Sequence, residues 1–546
     1  MVALEGGNGI EVAANQHHDV VIIGGGLAGL CLARQLKLAR PQTSILVLER
    51  HRFPVPEAAH TVGESTSELG AHYFRDVLGL SGHLETAQLR KSGLRFYYTR
   101  NGNEDMAERF EVGAPTFLPT RTTQLDRGRL ENFLADDVRG LGVELREGVR
   151  VRGVELGGQA VPGSHRVRVD GDVPEEISCR WLIDASGRPG VIKRKLGLGR
   201  KLDHDCNAVW FRVGRKMDIQ EWSADEDWKA RFAEPDLRWR ATSHLLGTGY
   251  WFWVIALGAH ATSFGLVADP ACHPFERINT FEKTLKWLHE YEPRAAREIE
   301  RERDALLDFR VLRHFAYGCE RVFSADRWAI TGDAGFFLDP LYSVGSDFIA
   351  LANTFIVDCA VRDLDGEAGW ERRLELEHEL HLLYFEILLA LFQHQYPLMG
   401  DSEVMSAKTF WDVMQYWAML ALPYFRGSFL EEGFIEWFLP RLRKVQALNA
   451  GIQRLAREWG ELNLRRGRAQ PYQLGLQLKI LPTFIAYNAD LTTPMEAAVL
   501  RAKIDEKLLF LEEFAAAFYR EATGLTEDVP VDPYDLRLGA LGLETA

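Results

Sequence analysis

The chain has 546 residues, a formal net charge of −14 and 46% hydrophobic residues. This length allows two or three domains with large cores. The acidic balance argues against nucleic acid or an anionic membrane as the main partner. The six cysteines show no CxxC pair and no metal-ligand spacing, so we expect reduced thiols in a cytoplasmic protein without a bound metal. No apolar stretch approaches the roughly 18 residues that a membrane span needs.

Residues 19–50 carry the most informative motif. An apolar run leads into Gly24, Gly26 and Gly29 with the spacing GxGxxG, and a second apolar run ends at Glu49. The pattern predicts the strand, helix and strand of a dinucleotide-binding unit. Gly24 would make the tight turn, Gly26 would let a pyrophosphate approach the backbone, Gly29 would pack helix on strand, and Glu49 would accept from a ribose hydroxyl. FAD and NAD both remain open at this point.

The next segments give weaker signals. The residues Gly63-Glu64-Ser65-Thr66 precede a helical pattern and are typical of a loop that caps a helix. Lys91 stands just before an alternating segment, 94–98, that we expect to be a strand. A lysine in that position is usually exposed to solvent, so an ordinary surface residue is the alternative. Asp126 is placed to cap a helix over 127–139.

From about residue 205 to 315 the pattern favours antiparallel strands rich in aromatic residues. The most aromatic of them reads Trp251-Phe252-Trp253-Val254-Ile255. Aromatic residues are good strand and core formers, so a structural role is the alternative to a substrate wall. After residue 327 a strand ends in Gly-Asp-Ala, which places Asp333 beside a sugar-phosphate chain, and the turn at Gly345 is suited to an anion or a flavin edge. From 346 onward the pattern is helical.

Four of these segments together resemble the flavin-dependent halogenases, which are related to the single-component FAD monooxygenases. The segments are the glycine motif with Glu49, the GEST stretch, the tryptophan-rich strand, and the return segment 332–345 with Asp339-Pro340 and Ser343-x-Gly345. The wider FAD-monooxygenase likeness covers residues 19–360. The helical tail is similar to that of the phenol- and pyrrole-acting branch.

The resemblance implies an α/β protein with a Rossmann-like FAD-binding domain, an antiparallel substrate sheet and a C-terminal helical domain. We expect a disordered lead over 1–18 in place of a signal peptide. The FAD-binding domain would occupy 19–204 and 316–360, the substrate sheet 205–315, and the helical domain 361–546. The expected FAD-binding residues are Gly24, Gly26, Leu27, Ala28, Gly29, Glu49, Arg50, Glu64, Ser65, Thr66, Arg127, Asp333 and Gly345.

The resemblance also implies catalytic roles. Lys91 lies where the family has the lysine that handles oxidised halide, and Trp251 and Trp253 lie on the strand that keeps substrate away from the flavin. A halide, chloride or bromide, is expected at the backbone N–H groups of Val344, Gly345 and Ser346, because such groups bind an anion without adding a titratable cation. Lysine suits the relay where arginine does not, because the guanidinium stays protonated.

Three positions depart from the family pattern. Ala256 replaces the proline that closes the tryptophan strand, Glu68 replaces the proline after GEST, and Tyr342 replaces the glutamate with which tryptophan-acting members accept the indole N–H. Free tryptophan is therefore not the expected substrate. The missing prolines leave open a relative that has lost halogenation.

The sequence therefore predicts an FADH2- and O2-dependent halogenase of secondary metabolism that acts on an electron-rich aromatic molecule, phenol- or pyrrole-like, free or bound to a carrier protein. A second dinucleotide motif is absent from the sequence, so a separate flavin reductase is the expected partner. The main alternative is an FAD monooxygenase or oxidoreductase that acts directly on an organic substrate. A flavin-binding scaffold without catalysis is the alternative from another class.

Overall fold

The computed structural model describes residues 17–58, 61–158, 164–170, 175–234, 236–465 and 476–538. Most of the predicted lead lies outside these ranges. Its last two residues, His17 and His18, already belong to the first strand, because they pair with Ser178 and Cys179. The arrangement is mixed α/β with a helical C-terminal region, so the predicted fold class is confirmed.

The strands in the described residues are β1 His17–Ile23, β2 Ile45–Glu49, β3 Leu89–Lys91, β4 Leu94–Tyr98, β5 Phe110–Gly113, β6 Thr122–Gln124, β7 Glu144–Glu147, β8 Val151–Glu155, β9 His165–Val169, β10 Glu175–Asp184, β11 Gly199–Arg200, β12 Asn207–Val213, β13 Thr242–Gly247, β14 Tyr250–Ala256, β15 Thr262–Ala268, β16 Leu306–Leu312, β17 Gly318–Cys319, β18 Phe323–Ser324 and β19 Trp328–Ile330.

The α-helices in the same ranges are α1 Leu27–Ala39, α2 Glu68–His72, α3 Ser81–Ala87, α4 Arg127–Gly140, α5 Val191–Leu196, α6 Glu226–Lys229, α7 Phe281–Tyr291, α8 Pro293–Arg301, α9 Gly345–Leu364, α10 Trp370–Ala390, α11 Ser402–Tyr416, α12 Leu422–Phe425, α13 Phe434–Arg465, α14 Leu476–Thr492 and α15 Ala497–Thr523. Among the helices of the described residues, none has the length and apolar character needed to cross a membrane.

The first sheet has the order β18-β19-β10-β1-β2-β7, and β8 and β9 extend it beside β10. Its central strands are parallel. A parallel sheet is covered on both faces, which explains why β1 and β2 are nearly continuous apolar runs. Helices α1, α4 and α9 pack together against it.

The second sheet has the order β16-β12-β15-β14-β13-β4-β5 and is antiparallel except where β13 runs beside β4. The aromatic strand predicted at 251–255 is β14, at the centre of this sheet. Gly265 of β15 lies opposite Trp253, and a Cβ atom at residue 265 would come within 2.1 Å of the indole ring. A glycine is therefore required there for the large side chain to lie flat on the sheet.

Among the C-terminal helices, α10 packs on α9 and on β18 of the first sheet, and α13 packs on α10. One hydrophobic core runs from β1 and β10 through α9 and α10 into α13 and α15. A second core lies under the other face of the second sheet, against α7 and α8. The space between the two sheets and the C-terminal helices holds the two cavities described next.

Candidate functional site

The first cavity lies at the carboxyl ends of β1 and β10, beneath the second sheet. It measures about 1620 Å³ including its open mouth. Open α/β sheets bind ligands at this edge, outside the carboxyl ends of their strands. Of the predicted FAD-binding residues, the structure brings these to its wall: Gly26, Leu27, Ala28, Glu64, Ser65, Arg127, Asp333 and Gly345.

The three glycines of the GxGxxG turn differ in what surrounds them. At Gly24, where φ is +107°, a Cβ atom would meet the Ala185 carbonyl oxygen at 2.3 Å, and at Gly29 it would meet the Gly24 carbonyl oxygen at 2.0 Å. A Cβ atom at Gly26 meets nothing within 4 Å. Gly24 and Gly29 are thus needed for the turn and for packing, whereas Gly26 faces open cavity.

The N-terminus of α1 is left free for an anion. Gly26 is its N-cap, no side chain caps it, and its first turn has no acidic residue. The unpaired N–H groups of a first helical turn and the helix dipole favour a pyrophosphate at this point. The turn therefore fits a dinucleotide.

Glu49 and Arg50 are placed differently from the other predicted residues. Glu49 is buried, and its carboxylate accepts hydrogen bonds from the backbone N–H groups of Gly25, at 2.6 Å, and His51, at 2.8 Å. Arg50 is exposed and its Nε contacts the His51 ring. Neither residue lines the cavity. The carboxylate clearly orders the turn, and its contact with a ribose stays a prediction.

Glu64 offers the cavity a carboxylate oxygen that is left unpaired in the part of the chain that the structure describes. Its Oε1 accepts from Arg212 Nε at 2.8 Å, while Oε2 is buried without a hydrogen-bond partner in the described residues. Arg212 also pairs with Asp308 at 2.7 Å, which fixes the GEST loop to the second sheet. A hydroxyl of a bound cofactor would satisfy the orphaned oxygen. The glycine turn, the free N-terminus of α1 and this orphaned oxygen are therefore groups that would hold FAD.

Trp251 and Trp253 form part of the wall of the first cavity, and their ring centroids lie 5.6 Å apart. Each indole N–H is engaged: Trp251 donates to Tyr396 Oη at 3.0 Å and Trp253 donates to Ser263 Oγ at 3.2 Å. Neither ring reaches the second cavity. Both side chains are thus rigid walls of the cofactor cavity.

The second cavity lies between the second sheet and the C-terminal helices. It measures about 1140 Å³, and its walls are mainly apolar side chains: Leu94, Phe96, Val112, Leu118, Leu388, Leu391, Phe410, Val413, Phe484 and Ile485. The segment 113–118 and α14 border its outer side, where Ile485 is exposed. An apolar pocket with a few polar groups is the usual form of a small-molecule site.

Lys91 lies in this second cavity, and is not an exposed surface residue. It ends β3, is 4% exposed, and its Nζ donates to Ser65 Oγ and to the Thr66 carbonyl oxygen, both at 2.8 Å. Burial lowers the pKa of Lys91 to about 8, although Glu68 and Asp347 oppose the shift. Ser65 itself faces the first cavity. The amine thus touches the boundary between the two cavities.

Two carboxyl groups lie near Lys91. Glu68, the first residue of α2, is half-buried and lines the second cavity. Asp347 in the first turn of α9 accepts from the Ser67 hydroxyl and from the Gly70 N–H at 3.0 Å. Burial raises the pKa of Asp347 to about 7, and burial also raises the pKa of Glu68 against the opposing charge of Lys91. A raised carboxyl pKa suits a group that exchanges protons near neutral pH.

The boundary between the cavities is built from side chains of both sheets. His244 of β13 faces the first cavity, and its ring stacks at 4.9 Å on Phe96 of β4, which faces the second. Burial, together with the charge of the nearby Lys91, lowers the pKa of His244 to about 3, so the imidazole is neutral. Val344 lines both cavities. The two spaces therefore meet at Lys91 and Val344.

The predicted halide residues lie at this meeting point. Val344 is the N-cap of α9, no side chain caps that helix, and Gly345 and Ser346 line the first cavity. Ser343 holds φ at +62°, a left-handed conformation that turns the chain into the helix. The free N–H groups of the first turn suit an anion, whereas the Asp347 carboxyl opposes one unless it is protonated.

The inner end of the second cavity contains a buried ion pair. Lys408 pairs with Asp412, which also accepts from Tyr342 Oη at 2.8 Å and from Gln453 Nε2 at 2.8 Å. The sequence resemblance implies that Tyr342 takes the place of a glutamate of the tryptophan-acting halogenases. Because the Asp412 oxygens are engaged by protein donors, this end of the cavity offers little to a substrate.

Several residues of the site were not predicted. His244 lies on β13, the strand that pairs with the tryptophan-rich β14, and Asp412, Tyr416 and Trp417 lie in a part of the helical tail whose sequence signal is its concentration of aromatic residues. Glu68 could have been found, because it departs from the family pattern directly after GEST. Asp126 begins α4 as expected, but its side chain accepts from the Ala259 N–H at 2.9 Å and does not cap the helix.

Comparison with known proteins agrees with this geometry. Residues 17–244 match the family described as FAD binding domain. A flavin-dependent halogenase, chlA, of Dictyostelium discoideum is 25% identical over 448 residues, which is 76% of this chain and 71% of that protein. The 1H-pyrrole-2-carbonyl-[peptidyl-carrier protein] chlorinase of Pseudomonas fluorescens is 28% identical over 61% of this chain and 73% of its own length.

The fold is also found in solved structures. The halogenase PltM in complex with phloroglucinol and FAD superposes with a TM-score of 0.62 at 16% identity, and the match covers 92% of this chain and 96% of PltM. At that identity the likeness concerns the fold, and it includes the C-terminal helices. With its FAD binding domain and these homologues, the protein is a flavoprotein enzyme related to the flavin-dependent halogenases.

Proposed function

We propose that this protein is an FADH2- and O2-dependent halogenase of electron-rich aromatic molecules, in which Lys91 passes hypohalous acid from the first cavity to the second. The observation that supports it is a buried lysine, with a pKa of about 8, at the boundary between the cavity lined by the candidate FAD-binding residues and an apolar pocket. FAD, when bound, supplies the oxidation of halide by O2.

The protein residues would act in sequence along the boundary. The first-turn N–H groups of α9 at Val344, Gly345 and Ser346 would hold chloride or bromide. The Lys91 amine would then hold hypohalous acid by a hydrogen bond or as a haloamine, which keeps the oxidant from reacting elsewhere. The side chains of Phe96 and His244 keep an aromatic substrate out of the first cavity. Trp251 and Trp253 would shape the flavin side of that barrier.

The second cavity supports an aromatic substrate. Its walls are apolar, its acidic groups disfavour an anionic substrate, and its outer side borders α14 and the segment 113–118. One homologue acts on a pyrrole carried by a peptidyl-carrier protein, so a carrier-bound substrate is compatible with the proposal, as is a free phenol. Because the chain has one dinucleotide motif, a separate flavin reductase would supply FADH2.

The test is Lys91→Ala with a panel of phenols and pyrroles, flavin reductase, NADH and bromide. Brominated product, measured by mass spectrometry, should fall by about 10⁴ or more, because a positioned group supplies roughly 7 kcal/mol in effective concentration. NADH consumption should stay nearly unchanged, since halide oxidation does not use the amine. Lys91→Arg should be nearly as inactive, because arginine gives no neutral amine.

The matched control is Arg90→Ala, which changes the neighbouring exposed residue on the same strand. It should keep full product yield. Undiminished product from Lys91→Ala would refute the relay. Oxygenated product without halogen would instead support the monooxygenase alternative.

A further inference from the structure

Three tryptophans of the described residues line the first cavity from the second sheet. Trp251 and Trp253 lie on β14, and their indole N–H groups donate to Tyr396 at 3.0 Å and to Ser263 at 3.2 Å. Trp210 lies on β12 and is 8% exposed, and its Nε1 is buried without a hydrogen-bond partner in the described part of the chain. Of these three tryptophans of the described residues, Trp210 is therefore the one that keeps a donor for a ligand.

The alternation of β12 fixes the direction of this side chain. Successive residues of a strand face opposite sides of a sheet. Phe211 packs in the second core, on the far face, whereas Ala208 and Trp210 belong to the first core and line the first cavity. Gly265 pairs with Trp210 on one side and with Trp253 on the other. The two indoles therefore lie on the same face of the sheet, one on each side of a residue without a side chain.

A second unpaired group belongs to the same part of the cavity wall. Arg212 follows Trp210 by two residues on β12, so the two side chains share a face of the strand. Arg212 Nε donates to Glu64 Oε1 at 2.8 Å, and the other oxygen of Glu64 is buried and unpaired among the described residues. This part of the wall therefore presents a donor and an acceptor to the cavity.

The two groups define what a ligand must carry here. A buried N–H without a partner destabilises the folded protein, so a ligand that accepts from Trp210 gains affinity. The indole N–H can only donate, and an ionised carboxylate can only accept. The ligand therefore needs an acceptor for Trp210 and a donor for Glu64. The hydroxyl and imide groups of the flavin half of FAD supply both.

We propose that Trp210 is an FAD-binding residue, whose indole N–H donates to an oxygen of the flavin half of the cofactor while Glu64 accepts from a donor of the same half. The ADP half belongs at the glycine turn and the N-terminus of α1, beside the first sheet, whereas Trp210 lies on the second sheet. The proposal concerns FAD binding and does not depend on halogenation.

The test is the dissociation constant for FAD, measured with the full-length protein by quenching of flavin fluorescence. Trp210→Phe keeps an aromatic ring and loses the donor, so the constant should rise about tenfold. Trp210→His keeps a donor, because imidazole has the shape of the five-membered ring of indole and its Nε2 can take the position of Nε1. At about pH 8, where an ordinary imidazole is neutral, this variant should stay within about threefold of the wild type.

The order of the two variants separates the hydrogen bond from packing. Histidine buries less apolar area than phenylalanine, so packing alone would make Trp210→His the weaker binder. Loss of the hydrogen bond makes Trp210→Phe the weaker binder. The proposal is overturned if Trp210→Phe binds FAD as the wild type does, or if Trp210→His binds it more weakly than Trp210→Phe.

ADP, which lacks the flavin half, is the second ligand. Its inhibition constant in competition with FAD should agree within about twofold for the wild type and both variants, because the glycine turn and the N-terminus of α1 are unchanged. Unchanged ADP binding also shows that each variant keeps a folded cavity. An ADP affinity that falls as far as the FAD affinity overturns the assignment to the flavin half.

Trp239→Phe is the matched control. The Nε1 of Trp239 is also buried without a partner in the described residues, but Trp239 lines neither cavity. Its FAD affinity should equal that of the wild type, and a loss as large as that of Trp210→Phe would overturn the proposal. Brominated product from Lys91→Ala tests the proposed function separately, so the failure of one proposal leaves the other standing.

Discussion

The two cavities differ in what their walls are made of. The first is shaped by backbone: glycines at 24, 26 and 29, the uncapped ends of α1 and α9, and the GEST loop. The second is shaped by side chains from β4, α10, α11 and α14, which lie far apart in the chain. A cofactor common to many enzymes is held by main-chain geometry, whereas the site for a particular substrate is set by side chains that can change individually.

Gly26→Asp should have the largest effect, and it tests whether FAD binds in the first cavity and not in the second. The new side chain would enter the first cavity, where a Cβ atom meets no protein atom within 4 Å, and its charge would repel a pyrophosphate. FAD retention, measured by absorbance after gel filtration, should fall at least about 100-fold, roughly 3 kcal/mol. Binding of a phenol probe such as 2-naphthol to the second cavity, measured by equilibrium dialysis, should be unaffected.

Gly82→Asp is the matched control, because Gly82 lies in α3 and also has no atom within 4 Å of a Cβ position. The Gly82→Asp protein should retain FAD as the wild type does. A fully loaded Gly26→Asp protein would show that the first cavity is not the FAD site.

Lys91→Met tests whether the Lys91 ammonium is shielded from water in the second cavity. Burial lowers the pKa of Lys91 from 10.5 to about 8. Below pH 8 the buried amine is therefore protonated, and its charge destabilises the folded protein. The unfolded chain binds more protons between pH 8 and 10.5, and wild-type stability therefore rises with pH across that window. Lys91→Met should raise the free energy of unfolding by about 3 kcal/mol at pH 7, and the gain should shrink above pH 8.

Urea unfolding from pH 7 to 9.5 measures this difference, with Lys286→Met as the control at an exposed helical lysine. The control should change stability by less than about 0.5 kcal/mol at each pH. A loss of stability in Lys91→Met at pH 7 would mean that water in the cavity solvates the ammonium.

Ser65→Ala tests the contact between the cavities. The Ser65 hydroxyl accepts from Lys91 Nζ at 2.8 Å and bonds to Thr242 Oγ1 at 2.8 Å. Its loss should lower the yield of halogenated product per NADH about tenfold, because the free energy of one hydrogen bond to a charged group corresponds to roughly that factor. Because Ser65 also lines the first cavity, product is compared per bound FAD, so that a change in FAD retention is separated from the effect on Lys91. Ser81→Ala, at an exposed serine, should match the wild type, and an equally active Ser65→Ala would show that the hydroxyl does not position the amine.

The sequence was informative where local geometry decides the structure. The βαβ unit, the aromatic strand β14 and the helical tail are as predicted, because each depends on residues close together in the chain. Asp126 shows the limit: it begins α4, yet its carboxylate bonds to Ala259, 133 residues away. Trp417 and His244 were not predicted, because only packing between distant elements brings them to a cavity.

The boundary at Lys91 and Val344 has a consequence for stoichiometry under the proposed function. An oxidant formed on one side and consumed on the other is divided, in every turnover, between transfer to substrate and escape through the open mouth of the first cavity. The ratio of product to NADH measures that kinetic competition. It should rise with substrate concentration and reach a plateau below one, and the height of that plateau is a property of the boundary, not of the flavin chemistry.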